Sequence, residues 1–589
     1  MKKIFLLIFL TITSISFSQN DYLLGESYYR EGAYEKAAQV FKKLYSKSPF
    51  NTSYLGRLIS CYQETNQFLE AEKLLKSKIN QNSKQGFLYV YLGYNYERQQ
   101  QKELAESNYQ LALNSLDKNA SYGGITGRIF KEYNLLDNAI LAYQKVMAKN
   151  KNANYSFQIA QIYGEKGDFK KMFESYINLV DKSENYFNLV QRYASKYITD
   201  DSENEANILF RKTLLRKSAS NPKDVWNVLL SWLFTQQKDY EKALVQEKAL
   251  YQRNPTDLGS FFRIGRIAFE NKSYSSAKNC FNYIIEKSTL NEEKIEAYLY
   301  ISKIYIATKN PETETLFQSL FHQFGKNPST IKLQVEYADF LTFQENKPKQ
   351  AKQILEHALT FSQSKFNEAR IKLKLGDILV FTGKYNKALI YFSQIQSKLK
   401  NHELAQQARF KVAQTSYFKS DFTWAKAQLK VLKGSTTQLI ANDALELFLI
   451  ITDNEPVDSI PSGLKEYSKA ELLAFQNKTQ QAIDTLHVIN KKFKGQPIED
   501  EALFKQAKLF IKINQFEAAI ANFEKIISLF SDGILIDDVY YEMAELYNNQ
   551  LNNPEKASEY YQKIIFDYSS SIYLVDARKK YRKIRGDKV

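Results

Sequence analysis

Alanines at a fixed spacing constrain this chain more than any other feature. Ala37, Ala71, Ala105 and Ala139 follow one another at 34 residues. Met172 comes 33 later, Ala206 after 34, Ala243 after 37 and Ala277 after 34. Ala351 lies 74 further on, which is room for two units with a degraded one between. Ala388 and Ala425 follow at 37 each, Ala482 at 57, and Ala519 and Ala557 at 37 and 38. A period in this range means one supersecondary unit stacked on copies of itself. Two other patterns keep the same step. Aromatics such as Phe41, Tyr109, Tyr143, Phe281, Phe392 and Phe523 stand four residues after their markers, on the same helical face. Gly32, Asn66, Asn134, Gly167, Asn346, Gly383, Asn477 and Asn514 stand five before, where a first helix must stop and reverse in a left-handed cap. Each marker thus belongs to the second helix of a pair. Gly25, Gly93, Gly127, Gly265 and Gly376, or Ala160, Ala194, Ala413, Ala470 and Ala507, supply the small residue on the first helix, because closely crossing helices leave room for nothing larger.

The residues between these positions favour helix. Gly and Pro are few, 20 and 10 of 589, against abundant Ala, Leu, Lys, Glu and Gln. The stretch from Tyr22 to Pro49 shows the unit whole: Leu24-Gly25-Glu26-Ser27-Tyr28, Gly32-Ala33-Tyr34, Ala37, Phe41 and Pro49. It resembles the tetratricopeptide repeat (TPR), which reads L-G-x-x-Y, A-x-x-x-F, P at 34 residues, with only the leading Trp missing. The resemblance implies an all-α fold, a right-handed TPR superhelix (α-solenoid) of about 15 helix-turn-helix units behind an N-terminal signal peptide. It also implies a concave groove, lined by the first helices, that holds other proteins. In the early units that face would carry Tyr22, Glu26, Tyr29, Arg30, Gln63, Glu64, Tyr94, Glu97, Arg98, Arg128 and Lys131. Such an aromatic and charged lining suits a protein segment, since Tyr and Arg are enriched at interface hot spots. One subfamily grips a partner's C-terminal carboxylate with Lys and Asn four residues apart on a first helix. The matching pairs here, such as Gly124 and Arg128 or Phe262 and Arg266, are never Lys with Asn. An internal segment or a folded surface is therefore the expected partner.

The ends have their own chemistry. Lys2 and Lys3, the apolar run Ile4 to Ile12 and the small residues of Ser16-Phe17-Ser18 read as a secretory signal over 1–18. The run is shorter than the ~20 residues that span a bilayer, and no Cys lies near the cleavage region for lipid attachment. The expectation is an exported, periplasmic, soluble chain with no transmembrane segment. The array is read as 19–452, a linker rich in breakers (Asp453, Pro456, Pro461, Gly463) as 453–463, and further units with a capping helix as 464–589. Just before the linker, Gln438 to Ile451 reads as a helix without a partner. The last 90 or so residues resemble the TPRs of bacterial envelope assembly proteins, which implies an envelope setting. Net charge is +16, or +14 without Lys2 and Lys3 (79 basic minus 65 acidic residues). It is spread through every unit as a solvated surface, and is densest at Arg578-Lys579-Lys580-Tyr581-Arg582-Lys583, a polar cap that could also touch an anionic envelope surface. No zinc-finger, RNP or basic-zipper pattern points to nucleic acid.

The search for chemistry finds no catalytic, cofactor-binding or metal-binding set. The four histidines, His322, His357, His402 and His487, fall in separate units, and His402-Glu403 is not followed by the second His of H-E-x-x-H. Tyr122 to Arg128 is Gly-rich but lacks the Lys-Ser/Thr of a phosphate loop. Cys61 and Cys280 are 219 residues apart and read as free buried thiols. The sequence thus predicts a non-enzymatic scaffold of the cell envelope that binds protein partners through its groove. The rival is a binder of cell-wall polymer or polysaccharide on the same concave surface.

Overall fold

The computed structural model describes residues 21–587 apart from 83, 256, 435–437 and 456–461. The signal at 1–18 and the middle of the linker therefore lie outside the described residues. Among those residues the chain is helical with no strand, and first and second helices alternate. They are α1 (21–30) and α2 (Tyr34–Lys47), α3 (Thr52–Glu64) and α4 (Phe68–Gln81), α5 (Leu88–Glu97) and α6 (Lys102–Lys118). Next come α7 (Gly123–Glu132) and α8 (Leu136–Lys149), α9 (Ser156–Glu165) and α10 (Phe169–Lys182), α11 (Phe187–Ala194) and α12 (Glu205–Ser220). After α13 (Asp224–Gln236) and α14 (Tyr240–Arg253) stand α15 (Gly259–Glu270) and α16 (Tyr274–Lys287), then α17 (Asn291–Ala307) and α18 (Thr313–Phe324). α19 (Ile331–Phe343) and α20 (Pro348–Thr360), α21 (Lys365–Phe381) and α22 (Tyr385–Lys398), α23 (Glu403–Phe418) and α24 (Phe422–Leu432) continue the order. α25 (Gln438–Asp453) follows alone. The last pairs are α26 (Leu464–Phe475) and α27 (Thr479–Lys492), α28 (Ile498–Lys512) and α29 (Phe516–Leu529), α30 (Ile536–Asn549) and α31 (Pro554–Asp567), closed by α32 (Leu574–Arg585).

The chain divides into two compact units. One runs to Asp200 and takes Asn204–Leu233; the other takes Asp201–Glu203 and everything from Phe234. The division falls inside α13, so the first unit holds α1–α12 and the second α14–α32.

The repeated positions do in each unit what their chemistry requires. The marker alanines are buried, and Met172, the one marker that is not Ala, is buried as well. The degraded unit between Ala277 and Ala351 keeps the geometry with other residues: Thr313 is the buried marker and Phe317 the buried aromatic four residues on. The small residues of the first helices make room chiefly for those aromatics. A Cβ on Gly93 would stand 2.4 Å from Tyr109 Cε1 and 3.0 Å from the Ala105 carbonyl oxygen. One on Gly376 would stand 2.3 Å from Phe392, and one on Gly127 2.5 Å from Tyr143.

All eight Gly and Asn caps read from the sequence have positive φ, from 55° to 76°. Gln100, Lys238, Lys272, Ser420 and Asn552 adopt the same conformation at the same place, five residues before their markers. Each turn returns hydrogen bonds to the first helix, as Gln67 N to the Tyr62 oxygen (2.7 Å) and Lys384 N to the Leu379 oxygen (2.7 Å). The bonds impose the left-handed residue whether or not its type prefers it.

Candidate functional site

Counted from the small residue of each first helix, the side chains two before and one after it share the inner face. Among the described residues these positions hold six ion pairs between neighbouring first helices. In the first unit Glu26 meets Arg57, with 2.5 Å from Arg57 Nε to Oε1 and 3.1 Å from its second nitrogen to Oε2. In the second unit Lys303 faces Glu336 (3.9 Å), Lys374 meets Asp339 (2.5 Å), Lys411 meets Asp377 (3.2 Å), Lys505 meets Glu471 (2.7 Å) and Lys508 meets Glu542 (2.6 Å). Each bridge joins neighbouring first helices about one repeat apart in sequence.

The network is densest at α21. Lys374 lies between Asp339 and Asp377, and Asp377 lies between Lys374 (3.4 Å) and Lys411. Burial alone would lower the Lys374 ammonium, but Asp377 and Asp339 hold it above its ordinary value. Burial would raise the Asp377 carboxyl, but Lys411 and Lys374 hold it below.

The eleven residues expected to line the groove of the early units are mostly engaged with neighbouring side chains. Gln63 is fully enclosed (0% exposed): its amide donates to the Tyr91 oxygen at 3.0 Å and accepts from the Tyr133 hydroxyl at 2.8 Å. That corrects its place in the groove lining, because Tyr133 reaches across from α7 and covers it. Glu26 is only 9% exposed, under Arg57. Tyr94 stacks on Tyr133 at 3.8 Å, Glu64 pairs with Arg98 at 3.0 Å, and Lys131 pairs with Glu165 at 2.8 Å. Tyr22 packs against Tyr54 (5.8 Å), and Tyr29 lies under the Arg57 guanidinium (4.9 Å). Arg30, Glu97 and Arg128 remain exposed, although Glu97 accepts from Tyr109 at 2.5 Å and Arg128 pairs with Glu132 at 2.8 Å.

The inner face of the second unit is open instead. A cavity of about 690 Å³ is lined by α17, α19, α21, α23 and α25, with Tyr300, Leu373 and Phe410 among charged side chains that include Arg370, Lys374 and Asp377. A second, of about 510 Å³, continues past Phe410 and Asp443 to Phe418, Glu446, Phe475 and Lys505. The pairing lapses here, because α25 brings Asp443 and Glu446 to positions where its neighbour α26 has Glu471. Burial, with Glu471 and Asp443 nearby, pushes the Glu446 carboxyl up. No sequence signal separates this open face from the filled one. The difference lies in which tyrosines fold inward, and Tyr is common throughout.

Cys61 and Cys280 are free and buried, and burial pushes both thiols up to about 12, far from thiolate reactivity. Among the described residues no group of three or more His, Cys, Asp or Glu is placed to hold a metal ion, and no helix is long and apolar enough to cross a membrane. In the basic C-terminal helix, Lys580 is committed to Glu545 and Asp576 at 2.6 and 2.8 Å, while Arg578, Arg582, Lys583 and Arg585 stay exposed.

Helix pairs crossed at small residues and joined through left-handed turns define a helical-repeat solenoid. The tetratricopeptide-repeat description matches residues 21–52, 501–533 and 538–571, so the chain carries tetratricopeptide repeats in those stretches. No curated protein sequence matches it. Among solved structures it is similar to Naa15/Naa10 bound to HypK-THB, at 11% identity over 97% of this chain and 96% of that one, with a TM-score of 0.31. It is also similar to yeast Tom70, at 14% identity over 74% and 96%, TM-score 0.31. A tetratricopeptide repeat protein from Parabacteroides merdae matches at 17% identity over 49% and 99%, TM-score 0.24.

Proposed function

We propose that this protein is a non-enzymatic scaffold exported to the bacterial cell envelope, where it holds segments of partner proteins against the inner face of its second unit. The observation that carries the reading is the pair of adjoining cavities, about 690 and 510 Å³, between the first helices from α17 to α28. Their apolar floor, formed by Leu373, Phe410, Phe418 and Phe475, gives a partner surface to bury. The charges around it fix register more than affinity. The exposed members of the early patch, Arg30, Glu97 and Arg128, would give the first unit contacts of its own. The exposed cations of α32 would let the protein rest against an anionic envelope surface. Export is supported by the signal-like segment 1–18.

A photo-crosslinking amino acid in place of Gln407, which lines the larger cavity, tests the reading in cells. The same substitution at exposed Gln350 on α20 is the control. Discrete protein adducts should form from position 407 and not from 350. Adducts to cell-wall polymer alone, or to nothing, would replace this function with the polymer-binding one or remove it.

A further inference from the structure

The ion pairs of the inner face obey a rule that one helix breaks. In all six bridges the side chain one after the small position of a first helix meets the side chain two before that position on the next. Glu336 and Asp339, both on α19, are thus answered from either side by Lys303 and Lys374. Lys505 and Lys508, both on α28, are answered by Glu471 and Glu542. On α25 the register follows from the smaller cavity. Gln414 and Phe418 line it one and five residues after Ala413, Glu471 and Phe475 one and five after Ala470, and Glu446 and Ile450 one and five after Leu445. Asp443, two before Leu445, and Glu446, one after it, therefore hold the pairing positions. From α17 to α28 every other charged residue at those positions is in a bridge. Among the described residues Asp443 and Glu446 are in none.

The cause is in the residues beside them. In the order of the bridges Asp443 falls to Gln414 of α23 and Glu446 to Ser468 of α26, and neither carries a charge. The cations of those positions are committed, Lys411 to Asp377 at 3.2 Å and Lys505 to Glu471 at 2.7 Å. Of the other lining charges outside ion pairs, Arg370 and Glu403 are one of each sign, and Lys512 donates to the Asn477 side chain at 3.3 Å. Burial, then Glu471 and Asp443, push the Glu446 carboxyl up, so this part of the face is short of positive charge. The setting is apolar as well. Asp443 and Phe410 line both cavities, with Leu373 in the larger one and Phe418 and Phe475 in the smaller.

We infer that the protein segment held on this inner face carries an arginine, which supplies Asp443 and Glu446 with the cation that their own repeats lack. This rests on the inner face of the second unit being the partner-binding surface, and adds what the partner must bring to it. The two acids are three apart on one helix, so their side chains are neighbours. A guanidinium has donors enough for both carboxylates in one planar group, and its flat face stacks on an aromatic ring such as Phe410. The apolar floor sets the residues around the arginine. In an extended chain side chains two apart point the same way. An apolar residue two before or after the arginine therefore reaches Phe410 and Leu373 in the larger cavity, and its counterpart on the other side reaches Phe418 and Phe475 in the smaller. The pattern recognised is apolar-x-Arg-x-apolar. The apolar residues supply buried area, and the arginine selects the partner and fixes its register.

The test uses the full chain and a phage-displayed library of random linear peptides. The parent should enrich an arginine with an apolar residue two positions away on each side. The double variant Asp443→Asn, Glu446→Gln keeps the shape of both side chains and should enrich the apolar pair without the arginine. Both acids are exposed, so its denaturant midpoint should match the parent's. A peptide selected on the parent is then made with arginine and with citrulline, which removes the charge and keeps the length. By fluorescence anisotropy the parent should bind the citrulline form about tenfold or more weakly, and the double variant should bind the two forms within about twofold. If the variant's midpoint shifts, the citrulline comparison on the parent decides alone. Where the peptide sits is read separately, with the photo-crosslinking amino acid at position 407 and its control at 350. A peptide that crosslinks from 407 but carries no arginine, binds equally well as citrulline, or still prefers arginine on the well-folded double variant overturns the inference and leaves the inner face as the binding surface. Peptides that do not crosslink from 407, or a library that yields none, overturn both.

Discussion

Gly93 shows how narrow the choice is at a single position. Its missing Cβ is the space Tyr109 occupies, and Tyr109 is pinned in turn by its bond to Glu97. Gly93→Ala should therefore cost about 1–3 kcal/mol, because neither the ring nor the Ala105 carbonyl can move away freely. A urea midpoint unchanged from the parent would show that the pair relaxes. Ala105→Leu, on the other side of the same crossing, should cost a similar amount. The turn residues run the other way. Lys272 has φ of 60°, a conformation that costs a non-glycine residue roughly 1–2 kcal/mol. Lys272→Gly should recover part of that and stabilise the protein by about 0.5–1 kcal/mol, net of the entropy Gly loses on folding. A destabilised Lys272→Gly would mean that the lysine side chain contributes more than its backbone costs. The glycine and asparagine caps were legible in the sequence because their types advertise the conformation. Lys272 and Gln100 were not, because hydrogen bonds back to the first helix impose it on residues with no preference for it.

Between elements, the ion pairs on the inner face fix neighbouring first helices in register. Asp377 is the member with most to lose. Asp377→Asn leaves Lys374 with Asp339 alone and Lys411 with no carboxylate there, in a site where Lys374 is only 20% exposed. On the order of 3 kcal/mol should be lost, read as an earlier midpoint in chemical unfolding. A second buried acid works by keeping its proton. Glu501 Oε2 and the Asn454 side-chain oxygen are both enclosed without a partner, and the two side chains lie within hydrogen-bond reach. Burial first, then the bond and charge of Asp500, push the Glu501 carboxyl up to about 9 from an ordinary 4.5. The folded chain therefore keeps a proton that the unfolded chain gives up. Its stabilising effect is complete below about pH 4.5 and declines as pH rises toward 9. Glu501→Gln, which keeps a donor without the titration, should flatten the fall in stability between pH 5 and pH 8. Parallel pH profiles for parent and variant would exclude this role for Glu501. The helices themselves were legible because alanine at a close crossing has few substitutes. The ion pairs were hidden because their spacing follows the repeat, which stretches and shrinks with each turn, and because Lys and Glu are plentiful everywhere. Gln63 was placed on the open face for a related reason. Position on a first helix was readable, but not whether a tyrosine such as Tyr133 would fold over its neighbours.

Across the molecule, a solenoid has no single core to share a disturbance. Each pair of helices packs on the pairs before and after it, so stability is close to a sum of unit and nearest-neighbour contributions. The buried clusters follow this. One, in the first unit, gathers residues from Ala37 to Ile162; another, near the C-terminus, gathers Leu503 to Ala577. Gly93→Ala strains the α5–α6 pair alone, so its effect should stay local. In native-state hydrogen exchange the variant should lose protection in α3 to α8, the pair and its neighbours on either side. Protection in α28 to α31 should match the parent within error, because no packed residue is common to the two clusters. A loss of protection in both regions would mean that the array unfolds as one cooperative body, and that its stability is not divided among its repeats.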